Sequence, residues 1–181
     1  IDVLLNPKSI VFIGASTSPE KPSGQGIRNI WKSGYEGKVF AVNARGAEID
    51  GHATYTSAAE IGEEAEVAFV TVKSVMCPQA VRDLAATKTK VAIVAVGGFA
   101  EMGNQDGKDL MDDLAKAAKE TGIRLVGPVC NGVYSAYNNC PIGYNATHAR
   151  KIQRGPISLV SHSGALLSPM IQAVENSGSG L

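Results

Sequence analysis

The residues whose types and spacing could do chemistry lie at the turns that follow short apolar runs. After Ile10 to Ile13 comes Gly14-Ala15-Ser16-Thr17, then Lys21, Ser23, Gly24 and Gln25 lead into a helix-like stretch. That layout suits a phosphate held over backbone N–H groups at a helix start; a plain flexible turn is the alternative. Only Gly24-Gln25-Gly26 has the first spacing of G-x-G-x-x-G, and Asn29 stands at the final glycine position. The tight pyrophosphate turn of an NAD site is therefore not supported. The next run ends in Asn43-Ala44-Arg45-Gly46, with a base where an NAD domain offers Asp or Glu to the ribose. Arg45 suits a phosphate on the ribose, which favours NADP or the 3′-phosphate of coenzyme A, unless it is simply a solvated surface cation.

Further turns carry Val72 and Lys73, then Gly97, Gly98, Phe99, Ala100 and Glu101, then Gly127-Pro128-Val129-Cys130-Asn131. Paired glycines allow close approach of a ligand to the backbone. Glu101 could accept from a ligand or order its own loop, with a plainly solvated carboxylate as the blander reading, and Cys130 reads as a small inert hydrophobe rather than a nucleophile. Ser161, Ser163 and Gly164 precede another helix, so two hydroxyls and several amides face one point that can hold phosphate; capping by Ser163 alone is the plainer reading. His52 and His148 read as ordinary loop residues, His162 within the Ser161–Gly164 turn reads as an exposed turn residue with phosphate acceptance as the lesser alternative, and no Cys/His cluster has metal spacing.

These turns need a scaffold, and the apolar runs supply a parallel-sheet pattern. Runs at 10–13, 39–42, 67–72, 91–96 and 125–126 read as strands buried on both faces. Helices are expected at 25–33, 57–61, 78–86 and 108–121, stopped by Gly34 and Gly122, with a capping box from Ser57 to Glu60 and Pro78 in a first turn. The fold class is thus α/β, a Rossmann-like parallel sheet with helices on both faces. The loop-rich stretch 127–155 is expected to cover the ligand edge of that sheet. A fresh unit follows: a strand at 156–160, the Ser161-His162-Ser163-Gly164 turn and a helix at 165–175. One strand and one helix cannot bury their own apolar faces, so residues 153–181 are expected to begin a second domain after a first at 1–152.

Composition narrows the function. Seventeen basic and seventeen acidic side chains cancel, so no long-range field draws in nucleic acid or an anionic membrane. No apolar run approaches the roughly 20 residues of a membrane span. Three cysteines without a framework and no secretory pattern at the start point to a reducing cytoplasm. Asn145-Ala146-Thr147 reads as a chance acceptor triplet.

Taken in order, several segments resemble one superfamily, that of the succinyl-CoA synthetase alpha subunit and the ADP-forming acetyl-CoA synthetases. They are Leu4-Leu5-Asn6-Pro7-Lys8-Ser9-Ile10, Ile13-Gly14-Ala15-Ser16, Gly34-Tyr35-Glu36-Gly37-Lys38-Val39, Gly98-Phe99-Ala100-Glu101, Gly127-Pro128-Val129-Cys130, Tyr144-Asn145-Ala146-Thr147 and Val160-Ser161-His162-Ser163-Gly164-Ala165-Leu166. The resemblance implies a CoA-binding Rossmann domain followed by the start of a flavodoxin-like, succinyl-CoA synthetase-like domain. It also implies an acid–CoA ligase working through an acyl phosphate and a phosphohistidine, with ATP or GTP and Mg2+ at an ATP-grasp domain outside this chain. By resemblance, Gly14, Ser16, Lys21, Ser23, Gly24, Gln25, Asn43 and Arg45 hold the nucleotide end of CoA. Val72, Lys73, Gly98, Phe99, Ala100, Glu101, Cys130 and Asn131 line the pantetheine and thiol end. Ser161, Ser163 and Gly164 form a helix start that stabilises phosphohistidine, whose histidine is expected downstream, so the chain alone is expected to be inactive.

The sequence departs from the family pattern at Val129, where relatives have Asn before the cysteine, at Lys73, where they have Pro, and at Arg45, where they have Lys. Expected partners are CoA, a carboxylic acid, and downstream domains or a separate ATP-grasp subunit, in an oligomer. Two rivals stand: a stand-alone CoA-binding module and an NADP-dependent oxidoreductase, the latter without a proton donor beside a nicotinamide.

Overall fold

A computed structural model describes the backbone of residues 1–181 and all side chains except those of Ala146 and His148, so the loop role expected of His148 lies outside the described residues. The apolar runs form β1 (Ser9–Ile13), β2 (Lys38–Val42), β3 (Val67–Val70), β4 (Val91–Val94) and β5 (Arg124–Val126). All neighbours pair in parallel, in the order β2-β1-β3-β4-β5. β1 and β3 are buried along their whole length, as expected of strands covered on both faces. The edge strands depart from that expectation: Lys38 of β2 and Arg124 of β5 are exposed.

The helices are α1 (Asp2–Leu5), α2 (Pro22–Ser33), α3 (Cys77–Asp83), α4 (Gln105–Thr121) and α5 (Gly164–Asn176). On one face of the sheet, Val81, Leu114 and Ala117 of α3 and α4 pack with Val11, Ala68, Val70 and Val94. On the other, Ile27 and Ile30 of α2 pack with Ile10, Phe12, Phe69 and Ile93. α2 and α4 end on left-handed Gly34 and Gly122. The stretch expected as helix at 57–61 is a single 3-10 turn, Ala58–Ile61. Its capping box does not form: Ser57 makes no side-chain cap, and Glu60 instead accepts the Thr56 backbone N–H at 2.8 Å. The spacing is present, but the Glu60 carboxylate is drawn to the backbone N–H and the hydroxyl of Thr56, one residue before the cap, and the Ser57 hydroxyl meets no amide.

The loop-rich stretch holds regular structure that its Gly, Pro and Asn content hid. β6 (Gly132–Ser135) and β7 (Cys140–Gly143) form an antiparallel hairpin, and Cys140 and Ile142 are buried among the α2-side core residues. Burial pushes the Cys140 thiol up to about 12 and the Cys77 thiol up to about 11, so both stay protonated near neutral pH. Asn29 of α2 donates to the carbonyls of Gly143 and Asn145 at 3.1 and 3.2 Å, fastening the helix to the hairpin.

The strand expected at 156–160 is not formed. These residues alternate in exposure, but the Ile157 N–H donates to the Gly180 carbonyl at 3.3 Å rather than into a ladder, and a strand exists only through its neighbours. The helix expected after it does form, as α5, with Ile171 as its buried residue. Val160, Leu166 and Met170 are exposed.

Hairpin closure depends on Gly132, whose φ is +125° and whose missing Cβ would stand 2.1 Å from the Ile142 carbonyl oxygen. Gly132→Ala is expected to cost about 1–3 kcal/mol, the range for a strained backbone position, as a lowered midpoint in urea unfolding; an unchanged midpoint would show that the hairpin does not carry the α2-side core.

Candidate functional site

Strand order reverses between β1 and β3, and in open parallel sheets ligands bind outside the carboxyl ends of the strands at such a point. A cleft of about 270 Å3 opens there. It is lined by Lys21, Pro22 and Ser23 at the start of α2, by Thr71 beyond β3, by Ala95 and Val96 beyond β4, and by Tyr144 beyond β7. Gly14 makes this edge compact: its φ is +88°, and a Cβ would lie 2.9 Å from Val72 Cγ1. The N–H groups of Gly14 and Ala15 both donate to the Val42 carbonyl at 3.0 Å, and Thr71 Oγ1 donates to the Ile13 carbonyl at 3.0 Å. The turns after β1, β2 and β3 are thereby held together.

Arg28 completes that fastening, and the sequence reading did not single it out. Its Nη1 donates to the carbonyls of Ser16 and Gly24 at 3.2 and 2.9 Å, and Nη2 donates to the Thr17 carbonyl at 3.0 Å. Nε and Nη2 also grip the Asp50 carboxylate at 2.8 and 2.7 Å, a two-pronged pairing that Lys could not make. Hydrogen bonding from Arg28 holds the Asp50 carboxyl below its ordinary range. The only sequence signal was position: Arg28 stands one helical turn after Gly24, on the side facing the Ser16 loop. His52 stacks on Trp31, with ring centroids 4.0 Å apart, beside this loop.

Of the residues expected at the nucleotide end, Lys21 and Ser23 line the cleft. Ser16 Oγ accepts the Ser18 N–H at 3.1 Å, and Gln25 Nε2 donates to the Glu20 carbonyl at 3.4 Å, so both side chains brace the loop. Gly24 is pressed against the Ser18 carbonyl. Asn43 Nδ2 donates to the Ala15 carbonyl at 2.7 Å, while its Oδ1 accepts the Arg45 N–H at 2.9 Å. Arg45 itself is exposed, with no ion-pair partner among the described residues.

At the other end, Glu101 is spent on its own loop. Its carboxylate accepts the Gly98 N–H at 2.5 Å and the Phe99 N–H at 3.1 Å, and these donors hold it below the usual range. Phe99 is fully buried in the α4-side core, so only its backbone faces the edge; Ala100 and Lys73 are exposed. Val72 packs partly against the same core. Gly98 belongs to a separate depression of about 520 Å3 lined by Asp106, Asp109 and Asp113, carboxylates that would repel an anion. The Cys130 N–H donates to the Val94 carbonyl and the Val129 N–H to the Val96 carbonyl, each at 3.2 Å, which anchors this turn beside the cleft floor. Val129 has φ +59°, a left-handed conformation that a β-branched residue adopts only under strain.

Gly164 abuts Asn131: a Cβ on it would fall 1.6 Å from Asn131 Nδ2, so α5 begins against the turn after β5. Asn145 donates to the Gly164 carbonyl at 3.4 Å and accepts from Ser168 Oγ at 2.8 Å. Ser161 Oγ donates to the Ser163 carbonyl at 3.0 Å, and Ser163 Oγ accepts the Leu166 N–H at 3.3 Å, so Ser163 is the helix cap. His162 is exposed. Among the described residues no group of His, Cys, Asp and Glu could hold a metal ion, and no helix is long and apolar enough to cross a membrane.

The CoA binding domain family matches residues 8–136, more than half of the chain and every strand of the parallel sheet. The chain belongs to this family. It is 34% identical over 171 residues to the alpha subunit of acetate–CoA ligase (ADP-forming) I of Pyrococcus furiosus, covering 92% of this chain and 36% of that one. The crystal structure of PH0766 from Pyrococcus horikoshii superposes with a TM-score of 0.88 at 26% identity, over 99% of this chain and 40% of that chain. Acetyl-coenzyme A synthetase 1 of Ca. Korarchaeum cryptofilum, in complex with phosphate and ADP, superposes with a TM-score of 0.78 at 26% identity, over 96% and 36%. The chain thus spans little more than a third of the length of the ligase subunit it matches.

Two outcomes test the β4 and β5 turns. Val129→Asn, which tolerates φ > 0, should raise stability by about 1 kcal/mol, read as a higher urea midpoint; no gain would mean that Val129 is not strained. Glu101 has a lowered pKa in the folded state, so its contribution is complete above the unfolded value and is lost as pH falls through the folded one. Glu101→Gln should therefore melt lower than wild type at pH 7, with the gap closing below about pH 4.5; a gap independent of pH would refute the amide contacts.

Proposed function

We propose that the chain binds CoA at the carboxyl edge of its sheet, as part of a longer acid–CoA ligase. That protein would interconvert acid, CoA and nucleoside triphosphate with acyl-CoA, nucleoside diphosphate and phosphate. The observation that carries this reading is the charge arrangement at the edge. Lys21 on the cleft and Arg45 on the adjoining turn are cations without ion-pair partners among the described residues, and no carboxylate lines the cleft. A polyanionic ligand with an apolar arm meets that surface with complementary charge.

In this reading Arg45 meets the 3′-phosphate, and the edge from Val72 and Lys73 to Cys130 and Asn131 receives the far end of CoA. Residues 153–181 begin the second, flavodoxin-like domain, with Ser161, Ser163 and Gly164 at its phosphate-facing helix start. The phosphorylated histidine and an ATP-grasp part, with ATP or GTP and Mg2+, belong to other segments or to a partner subunit of a cytoplasmic oligomer. The chain by itself supplies binding and orientation rather than turnover.

Isothermal titration with CoA, dephospho-CoA and NADP, repeated on Arg45→Ala, tests the assignment. CoA should bind, and loss of either the 3′-phosphate or Arg45 should weaken it by about 1–3 kcal/mol. Binding of NADP alone would overturn the ligase reading in favour of an oxidoreductase.

A further inference from the structure

The cleft at the strand-order reversal is small beside the 300–1,000 Å3 of sites that enclose a drug-sized ligand. At about 270 Å3 it receives one part of CoA rather than the whole. Its walls indicate which part. Ala95 and Val96 give an apolar floor, Pro22 and the ring of Tyr144 give apolar sides, and Lys21 is the one cation among the lining residues. The hydroxyls divide into used and unused. Thr71 Oγ1 is committed to the Ile13 carbonyl at 3.0 Å, whereas the Ser23 hydroxyl at the α2 start and the Tyr144 hydroxyl on the opposite element have no hydrogen-bond partner among the described residues. Burial raises the Tyr144 pKa, which keeps the phenol protonated and able to donate.

Tyr144 is also held in place. Its ring lies 6.4 Å from that of Phe69 in β3, and it directly follows β7, whose Gly143 carbonyl is tied to Asn29 of α2. A fixed aromatic wall carrying a free donor above an apolar floor fits a narrow chain that bears amide carbonyls. The cleft's phosphate-suited part is confined to the α2 start, where Lys21 and Ser23 stand, and the Tyr144 side carries no cation to meet a phosphate.

We propose that Tyr144 is a ligand-positioning residue that grips the pantetheine arm, stacking along the chain and donating its hydroxyl to an amide carbonyl, with Lys21 at the phosphate end of the same cleft. This rests on the CoA reading above and deepens it. It moves Lys21 and Ser23 from the nucleotide end, where resemblance put them, to the junction between diphosphate and arm.

The experiment uses the 181-residue chain and titrates CoA, 4′-phosphopantetheine and 3′,5′-ADP into wild type, Tyr144→Phe and Tyr144→Leu, with thermal melting to confirm that each variant folds. Tyr144→Phe should weaken CoA and 4′-phosphopantetheine about 5- to 10-fold, the loss expected of one hydrogen bond, and leave 3′,5′-ADP unchanged. Tyr144→Leu should weaken the same two ligands further. Equal losses for all three ligands, or CoA binding that neither variant alters, would overturn the assignment of Tyr144 while leaving the CoA reading intact. Failure of wild type to bind CoA at all would remove the reading beneath it.

Discussion

A parallel sheet must be covered on both faces, yet its carboxyl edge stays open wherever consecutive crossovers depart in opposite directions. Here that divergence falls between β1 and β3, and the remaining architecture follows from it. α3 and α4 cover one face, α2 and the β6–β7 hairpin the other, and the gap above β1, β3 and β4 becomes the cleft. Loops around such a gap would splay without fastening. Arg28 supplies it from a single side chain, 12% exposed, which holds the Ser16–Thr17 turn, the α2 start and Asp50 at once. Partial burial makes those charge-assisted contacts worth more than a surface ion pair.

Much of the scaffold was legible because burial on both faces writes itself as continuous Val, Ile, Ala and Phe runs. The errors are informative. The third and fourth strands read as 67–72 and 91–96, but the ladders stop at Val70 and Val94. The apolar character continues past them because Val72 packs against the core and Ala95 and Val96 floor the cleft. A run that outlasts its strand marks the site, not a longer strand. The hairpin was illegible for the opposite reason. β7 contains Pro141 and ends in Gly143, residues that argue against a strand, and only the packing of Cys140 and Ile142 against α2 overrides them.

The site was legible by position more than by role. Reading the turns after each apolar run located Gly14, Lys21, Ser23, Gly98 and Cys130 along one edge. It did not distinguish side chains that face the opening from those that build it. Glu101, Asn43, Ser16 and Ser163 all turn inward to backbone partners, a choice set by loop geometry that no residue type reveals. Arg28 and Tyr144 went unassigned because the packing of each depends on a neighbour distant in sequence: Asp50 for one, Phe69 for the other.

The hairpin carries one more consequence, for the order in which the domain is assembled. Asn29 finds its acceptor at Gly143, 114 residues later. A chain emerging from the ribosome can therefore lay down α2 against β1 early but cannot close that side until β7 has been synthesised. Until then Ile27, Phe12 and Phe69 lack part of their cover, a long-range closure of the kind that slows folding and exposes apolar surface to other chains. The same late segment leads directly into Tyr144, so the cleft at the strand-order reversal lacks one of its walls until the hairpin has been made.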